Sequence, residues 1–212
     1  MLCSTKSGRP IPSTSAPYPF SNPEPRLLPT NCLRACTASP TEISYNYSDD
    51  PTALYKAEVE FITAEDWISE LKVLFEDLLD NNGEVSREAT ANADSDAGIA
   101  YAKLRAVYPR KTRELLATGS PEAFASEPRV RNVLGTVKHL KHTSASAIYQ
   151  QLQRYVDSKE KTVGTKRADI EMEFWPLIKV VRIYCKADAL STGAVIVDLA
   201  STRNPRRRLP HD

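Results

Sequence analysis

The stretch GAVIVDL, Gly193 to Leu199, decides how this chain is read. It is a continuous apolar run carrying one acid, Asp198. Such runs are the pattern of a strand buried on both faces of a sheet. A strand ending in V-I-V-D is also how nucleotide-binding α/β proteins bring a Mg²⁺-associated aspartate beside phosphates. Asp198 is therefore a candidate Mg²⁺ and nucleotide residue, against the plainer reading of an ordinary strand end. After Leu199 the apolar pattern stops, and ASTRNPRRRLPHD, residues 200–212, reads as a basic, disordered tail.

Working outward, PLIKVVRIYCKA just upstream reads as a second strand. Nearer the N-terminus, TEISYNY alternates Ile43, Tyr45 and Tyr47 on one face. YKAEVEFI alternates Tyr55, Ala57, Val59 and Phe61 against Lys56, Glu58 and Glu60. Two alternating runs joined by a short polar loop predict an antiparallel pair.

Between the two groups of strands the period changes to that of helices. Thr63 is a good N-cap, and Asp66 three residues on completes a capping-box start. Trp67, Leu71, Leu74, Phe75, Leu78 and Leu79 then form one amphipathic stripe, which Asn81-Asn82-Gly83 ends. Further helices are predicted over Ile99–Tyr108, Thr112–Ala117, Val130–Leu134 and Ala145–Asp157. The charged segment Ser158–Glu173 lacks a period and reads as a loop. Pro10, Pro12, Pro17, Pro19, Pro23, Pro25 and Pro29 make residues 1–29 a disordered or extended lead-in.

Composition narrows the function classes. The chain has 212 residues, 41% hydrophobic and 26% charged, enough for one packed domain. Its net charge of +1 disfavours a nucleic-acid partner, and Arg206-Arg207-Arg208 falls short of a basic patch. The N-terminus has no signal-peptide h-region, and Lys179 and Arg182 break the longest apolar stretch, so no transmembrane helix is expected. These features point to an intracellular protein. Cys3, Cys32, Cys36 and Cys185 do not make a disulfide framework. Cys32 and Cys36 could meet His139 and His142 at a zinc only through long-range coincidence, so no metal site from protein ligands alone is expected.

The remaining motifs weaken on inspection. Thr37-Ala38-Ser39-Pro40 is a polar loop whose threonine could reach Mg²⁺, or an ordinary turn. Cys185-Lys186-Ala187-Asp188 lacks the leading Asn or Thr of a guanine-reading motif and lies on the wrong side of the V-I-V-D strand. Thr5-Lys6-Ser7 lacks the glycines that aim backbone amides at phosphate. There is no G-x-S-x-G, no H-E-x-x-H, and no catalytic residue is nominated.

Taken together, LLPTNCLRACTASPTEISYNYSDDP, YKAEVEFITAEDW, YVDSKEK and EMEFWPLIKVVRIYCKADALSTGAVIVDL resemble the fungal relatives of the nuclear GTPase SLIP-GC, in the dynamin-like superfamily. The resemblance runs from about Leu27 to Leu199. It implies an α/β fold, an incomplete P-loop NTPase-like sheet with a large helical insertion over about 63–160, within a partial GTPase domain spanning 30–199. It implies GTP and Mg²⁺ as ligands, with Thr37 in a switch I T-x-x-P setting and Asp198-Leu199 as the first half of D-L-P-G. Ala200-Ser201 stand where Pro-Gly would. The expected function is a GTPase-domain fragment that does not hydrolyse GTP by itself. The alternative is a helical interaction module that pairs with an intact paralogue or with itself. The breaks in pattern at both ends read as a shortened or frame-shifted gene product.

Overall fold

The computed structural model describes residues 39–156 and 171–198. Five strands, β1 (Thr41–Tyr45), β2 (Tyr55–Phe61), β3 (Val137–His142), β4 (Ile178–Cys185) and β5 (Ile196–Asp198), form one mixed sheet in the order β3-β2-β4-β1-β5. Only β1 and β4 run parallel; the other neighbours are antiparallel. The helices are α1 (Ala64–Leu78), α2 (Glu88–Ala91), α3 (Asp96–Val107), α4 (Arg113–Thr118), α5 (Pro121–Ala125), α6 (Pro128–Arg131) and α7 (Ala145–Val156). The chain is thus a mixed α/β protein.

β1 and β2 have the predicted alternation but are not partners: β4 lies between them. Alternation specifies which face a side chain takes, not which strand lies beside it. The loop between them is long enough to pass the end of β4, and Asn46 shapes it. This buried side chain donates to the carbonyls of Ala53 (2.8 Å) and Leu54 (3.0 Å) and accepts from the Ser48 amide at 3.2 Å. Its own backbone N–H donates to the Cys185 carbonyl at 2.9 Å, tying the loop to the end of β4.

One face of the sheet is the core. Ala57, Val59, Phe61, Val181 and Ile183 are buried there with the α1 stripe Trp67, Leu71, Leu74, Phe75 and Leu78. Each fully buried leucine of that stripe contributes about 1.5–3 kcal/mol relative to exposure. The capping box forms as expected: Asp66 N–H donates to Thr63 Oγ1 at 3.1 Å, and Thr63 N–H donates to the Asp66 carboxylate at 3.4 Å. Helix α3 lies against α1, and Lys103 on α3 pairs with Glu70 on α1 at 2.6 Å. Helix α7 covers β2 and β3 through Ile148 and Leu152. The return to β4 is fastened by the Glu173 amide, which donates to the Ala106 carbonyl at 2.9 Å, and by the Trp175 indole, which donates to the Glu173 carboxylate at 3.0 Å.

Two further expectations need correction. The helical block is interrupted by β3, whose VKHLKH has no apolar face to announce it; pairing with β2 makes it a strand. GAVIVDL is not a central strand among the described residues. Its strand portion is only Ile196–Asp198, at the sheet edge, and Val195, Ile196 and Val197 are 54%, 55% and 49% exposed. The composition suits burial on both faces, but no described strand lies on the far side of β5 and no described helix covers it.

Candidate functional site

The antiparallel pairing of β1 and β5 sets Thr41 opposite Asp198 and Ile43 opposite Ile196. Asp198, the last residue of β5, therefore shares one end of the sheet with the first residue of β1. The lead into β1 is held at this end as well. Ser39 is buried, its hydroxyl donates toward the carbonyls of Ile178 (3.4 Å) and Trp175 (3.5 Å), and the Pro40 carbonyl accepts from the Val181 amide at 2.9 Å. Thr37 lies outside the described residues, two positions before Ser39.

The donor set at this end suits part of a magnesium nucleotide. Mg²⁺ is commonly held by one or two carboxylates, with waters and phosphate oxygens completing its shell, so a single aspartate at a strand end is compatible with it. No group of three or more His, Cys, Asp or Glu that could hold a metal by itself occurs among the described residues. A triphosphate also needs a nest of backbone amides, commonly at a helix N-terminus. Among the described residues, what meets at the start of β1 and the end of β5 is two strand termini, which is not such a nest. One carboxylate is thus compatible with the metal without being a metal site by itself, and the residues present do not fit the whole nucleotide.

At the opposite end of the sheet is a shallow cavity of about 410 Å³. It opens beyond the carboxyl ends of the parallel strands β1 and β4, and Tyr45, Tyr47, Lys56, Tyr184 and Val195 help line it. The rule that open α/β sheets bind ligands outside the carboxyl ends of their strands would select this end for β1 and β4 and the Asp198 end for β5. The cavity is itself poorly suited to a phosphate ligand. The cavity wall is mainly aromatic and aliphatic, and its one ammonium, on Lys56, lies 5.7 Å from the centre of the Tyr184 ring.

The sheet face turned away from the helices carries a charge network. Arg182 on β4 donates from Nε to Glu42 on β1 at 3.1 Å and from a terminal nitrogen to Glu60 on β2 at 2.6 Å. Lys179 donates to the other Glu60 oxygen at 2.8 Å, and the Tyr184 hydroxyl donates to Glu58 at 3.0 Å. Hydrogen bonds from Lys179 and then Arg182 hold the Glu60 carboxyl below the usual range. The hydrogen bond to Glu60, with the charges of Glu60 and Glu42, raises the Arg182 pKa. Burial first, then the contact with Glu58, raises the Tyr184 phenol. This network crosses three strands, which explains why the polar positions of β1, β2 and β4 are Glu, Glu and Arg. The alternation of β2 set Glu58 and Glu60 opposite its apolar face, but their pairing with Tyr184, Lys179 and Arg182 needs the strand order.

The other motifs take structural places. Cys185 is buried at the end of β4, Lys186 lies 3.7 Å from Asp49, and Asp188 opens a 3₁₀ turn. His139 lies 3.5 Å from Glu58, and His142 Nδ1 accepts the Ser144 amide at 3.1 Å. Thr5-Lys6-Ser7, Cys3, Cys32 and Cys36 lie outside the described residues. No described helix is long and apolar enough to cross a membrane.

No family model matches the chain. Among characterised proteins it is similar to the nuclear GTPase SLIP-GC of Mus musculus, 26% identical over 180 residues. The alignment takes in 83% of this chain and 21% of that protein, so the chain spans about a fifth of its relative's length. The similarity is weak, and it suggests a GTPase-like relation.

Proposed function

We propose that this chain is the switch-bearing part of a dynamin-like, P-loop-type GTPase domain. In this reading residues 30–199 belong to the domain, and Asp198 and Thr37 converge on the Mg²⁺ of bound GTP. The observation that carries the reading is the β1–β5 pairing. It brings Asp198 to the sheet end from which β1 starts, although most of the described chain lies between the two strands. The likeness to a GTPase supports the same assignment. Nuclear residence follows the name of that relative and is part of the proposal.

Asp198 would supply a carboxylate oxygen to the metal and Thr37 a hydroxyl. The bound Mg²⁺ would neutralise charge on the phosphates. The 212 residues contain no G-x-x-x-x-G-K-[ST], and Ala200-Ser201 follow Asp198-Leu199. Losing one oxyanion-type donor costs about 3–4 kcal/mol in a transition state, and a phosphate cradle supplies several. The 212-residue chain alone therefore binds magnesium GTP weakly and does not turn it over.

Titration with a fluorescent GTP analogue, with and without Mg²⁺, tests this together with phosphate release. The expected result is Mg²⁺-dependent binding that Asp198→Ala removes, with release at the buffer rate. Binding that persists in Asp198→Ala, or turnover by the 212-residue chain, would overturn the proposal.

A further inference from the structure

The strand register builds the cavity beyond the carboxyl ends of β1 and β4. Ser44, Tyr184 and Lys56 stand side by side across β1, β4 and β2, on the sheet face turned away from the helices. Tyr47, 69% exposed, and the segment leading into β5 complete the lining. A Cβ built on Gly193 would lie 4.0 Å from the Tyr47 hydroxyl, so the Tyr47 side chain reaches across to that segment. Tyr45 meets Tyr47 edge-on, 4.9 Å between centroids, which steadies the exposed ring.

The cations around this face are paired, with one exception. Lys179 and Arg182 contact Glu60, and Arg182 also contacts Glu42. His139 lies 3.5 Å from Glu58, Lys141 lies 3.8 Å from Asp50 and Lys186 lies 3.7 Å from Asp49. Lys56 forms no ion pair among the described residues, and its ammonium lies 5.7 Å from the centre of the Tyr184 ring. Asp50 is the acid whose charge interacts with Lys56. That carboxylate already accepts from the Thr52 amide (2.8 Å) and hydroxyl (2.7 Å) as well as facing Lys141. The cavity therefore offers one positive charge beside an aromatic and aliphatic wall. A single ammonium matches a carboxylate, whereas phosphate sites gather a nest of amides or a bound cation. The wall suits a ring, because aromatic pairs gain more than their buried area alone provides. A volume of about 410 Å³ is at the small end of ligand sites and suits one ring.

We propose that this cavity binds an aromatic carboxylate, one ring separated from its carboxylate by two carbons, with Lys56 holding the anion and Tyr47 the ring. A free aryl acid and the carboxyl-terminal aromatic residue of a peptide share this chemistry. The inference rests on the cavity alone and is independent of the GTPase reading. The site is shallow and the ligand small, so the expected Kd is about 1–10 mM.

Titration of the isotope-labelled 212-residue chain with 3-phenylpropionate, to about 20 mM at constant ionic strength, covers that range. The expected result is saturable shifts of the Tyr47, Lys56 and Val195 amides. The matched carboxamide and 3-cyclohexylpropionate should each bind several-fold more weakly, the first for want of charge and the second of a ring. Lys56→Gln should weaken binding about tenfold or more, because the hydrogen bond it removes is to a charged group. Tyr47→Ala removes an exposed ring, so the fold is retained, and it should weaken binding as well. Lys138→Gln should leave binding unchanged. Gly-Gly-Gly-Phe with a free carboxyl end names the source: tighter binding than 3-phenylpropionate assigns the site to a peptide terminus, and weaker binding to a small acid. No saturable shift by either probe, a carboxamide that binds as well as the acid, or binding unchanged by both Lys56→Gln and Tyr47→Ala would overturn the proposal.

Discussion

Replacing Tyr108 by Phe isolates one buried hydrogen bond. Trp67 on α1 is 0% exposed and Tyr108, which follows α3, is 2% exposed. The Trp67 indole N–H donates to the Tyr108 hydroxyl at 3.0 Å. The Tyr108 ring meets Phe124 edge-on, 4.6 Å between centroids at 76°, and phenylalanine keeps that contact. The substitution therefore removes little but the hydroxyl and leaves an indole N–H buried without its partner. That loss amounts to about 1–3 kcal/mol. In a chain of this size it lowers Tm by roughly 2–12 °C. Urea unfolding followed by far-UV circular dichroism measures it. Trp67→Phe and the double variant complete a cycle with an expected coupling of about 0.5–3 kcal/mol, because the double variant strands no donor. A Tyr108→Phe variant as stable as the parent, or an additive cycle, would refute the reasoning. The same residue predicts an alkaline signature. Burial raises the Tyr108 phenol above its ordinary value of 10.0, against the hydrogen bond from Trp67, so the unfolded chain loses this proton first. The contribution is intact below about pH 10 and falls as pH rises beyond it, and Tyr108→Phe flattens that part of the profile.

Arg182→Met removes the clamp on Glu42 and Glu60. These side chains are partly exposed, so the expected loss is modest, about 0.5–1 kcal/mol at low salt and less at high salt, read by urea unfolding at two ionic strengths. Because Lys179 and Arg182 depress the Glu60 pKa, its contribution is present above the ordinary value of 4.5 and is lost as pH falls through the folded-state value. The variant should therefore unfold less steeply in acid than the parent does. Thr63→Ala deletes the N-cap of α1 and should cost about 1 kcal/mol, with Thr63→Ser recovering most of it in the same unfolding assay.

Local signals in the sequence were reliable where the physics is local. Thr63, Asp66 and the Trp67–Leu78 stripe specify a cap and a face within one helix, and both formed. The faces of β2 were equally legible, because alternation needs no neighbour. Strand order was not. Whether Glu42 meets Arg182 depends on β4 inserting between β1 and β2, which is a property of the whole sheet. β3 was invisible because an edge strand can be charged on both faces. GAVIVDL misled in the opposite direction: its apolar character describes a buried strand, and the described residues put its Ile196–Asp198 portion at an edge. Asp198 was legible as a candidate, and its position opposite Thr41 emerged only from the fold.

The central claim is that the metal-nucleotide end of this chain is the Asp198 end and not the aromatic cavity at the other end of β1. The two lie roughly 13 Å apart along β1, at about 3.3 Å per residue. Mn²⁺ in place of Mg²⁺, added with a non-hydrolysable GTP analogue to isotope-labelled protein, distinguishes them through paramagnetic broadening of amide signals. The predicted result is broadening centred on Thr41, Val197 and Asp198, abolished by Asp198→Asn, with Asn46, Lys56 and Gly193 little affected. Broadening centred on Asn46, Lys56 and Gly193, or unchanged by Asp198→Asn, would contradict it.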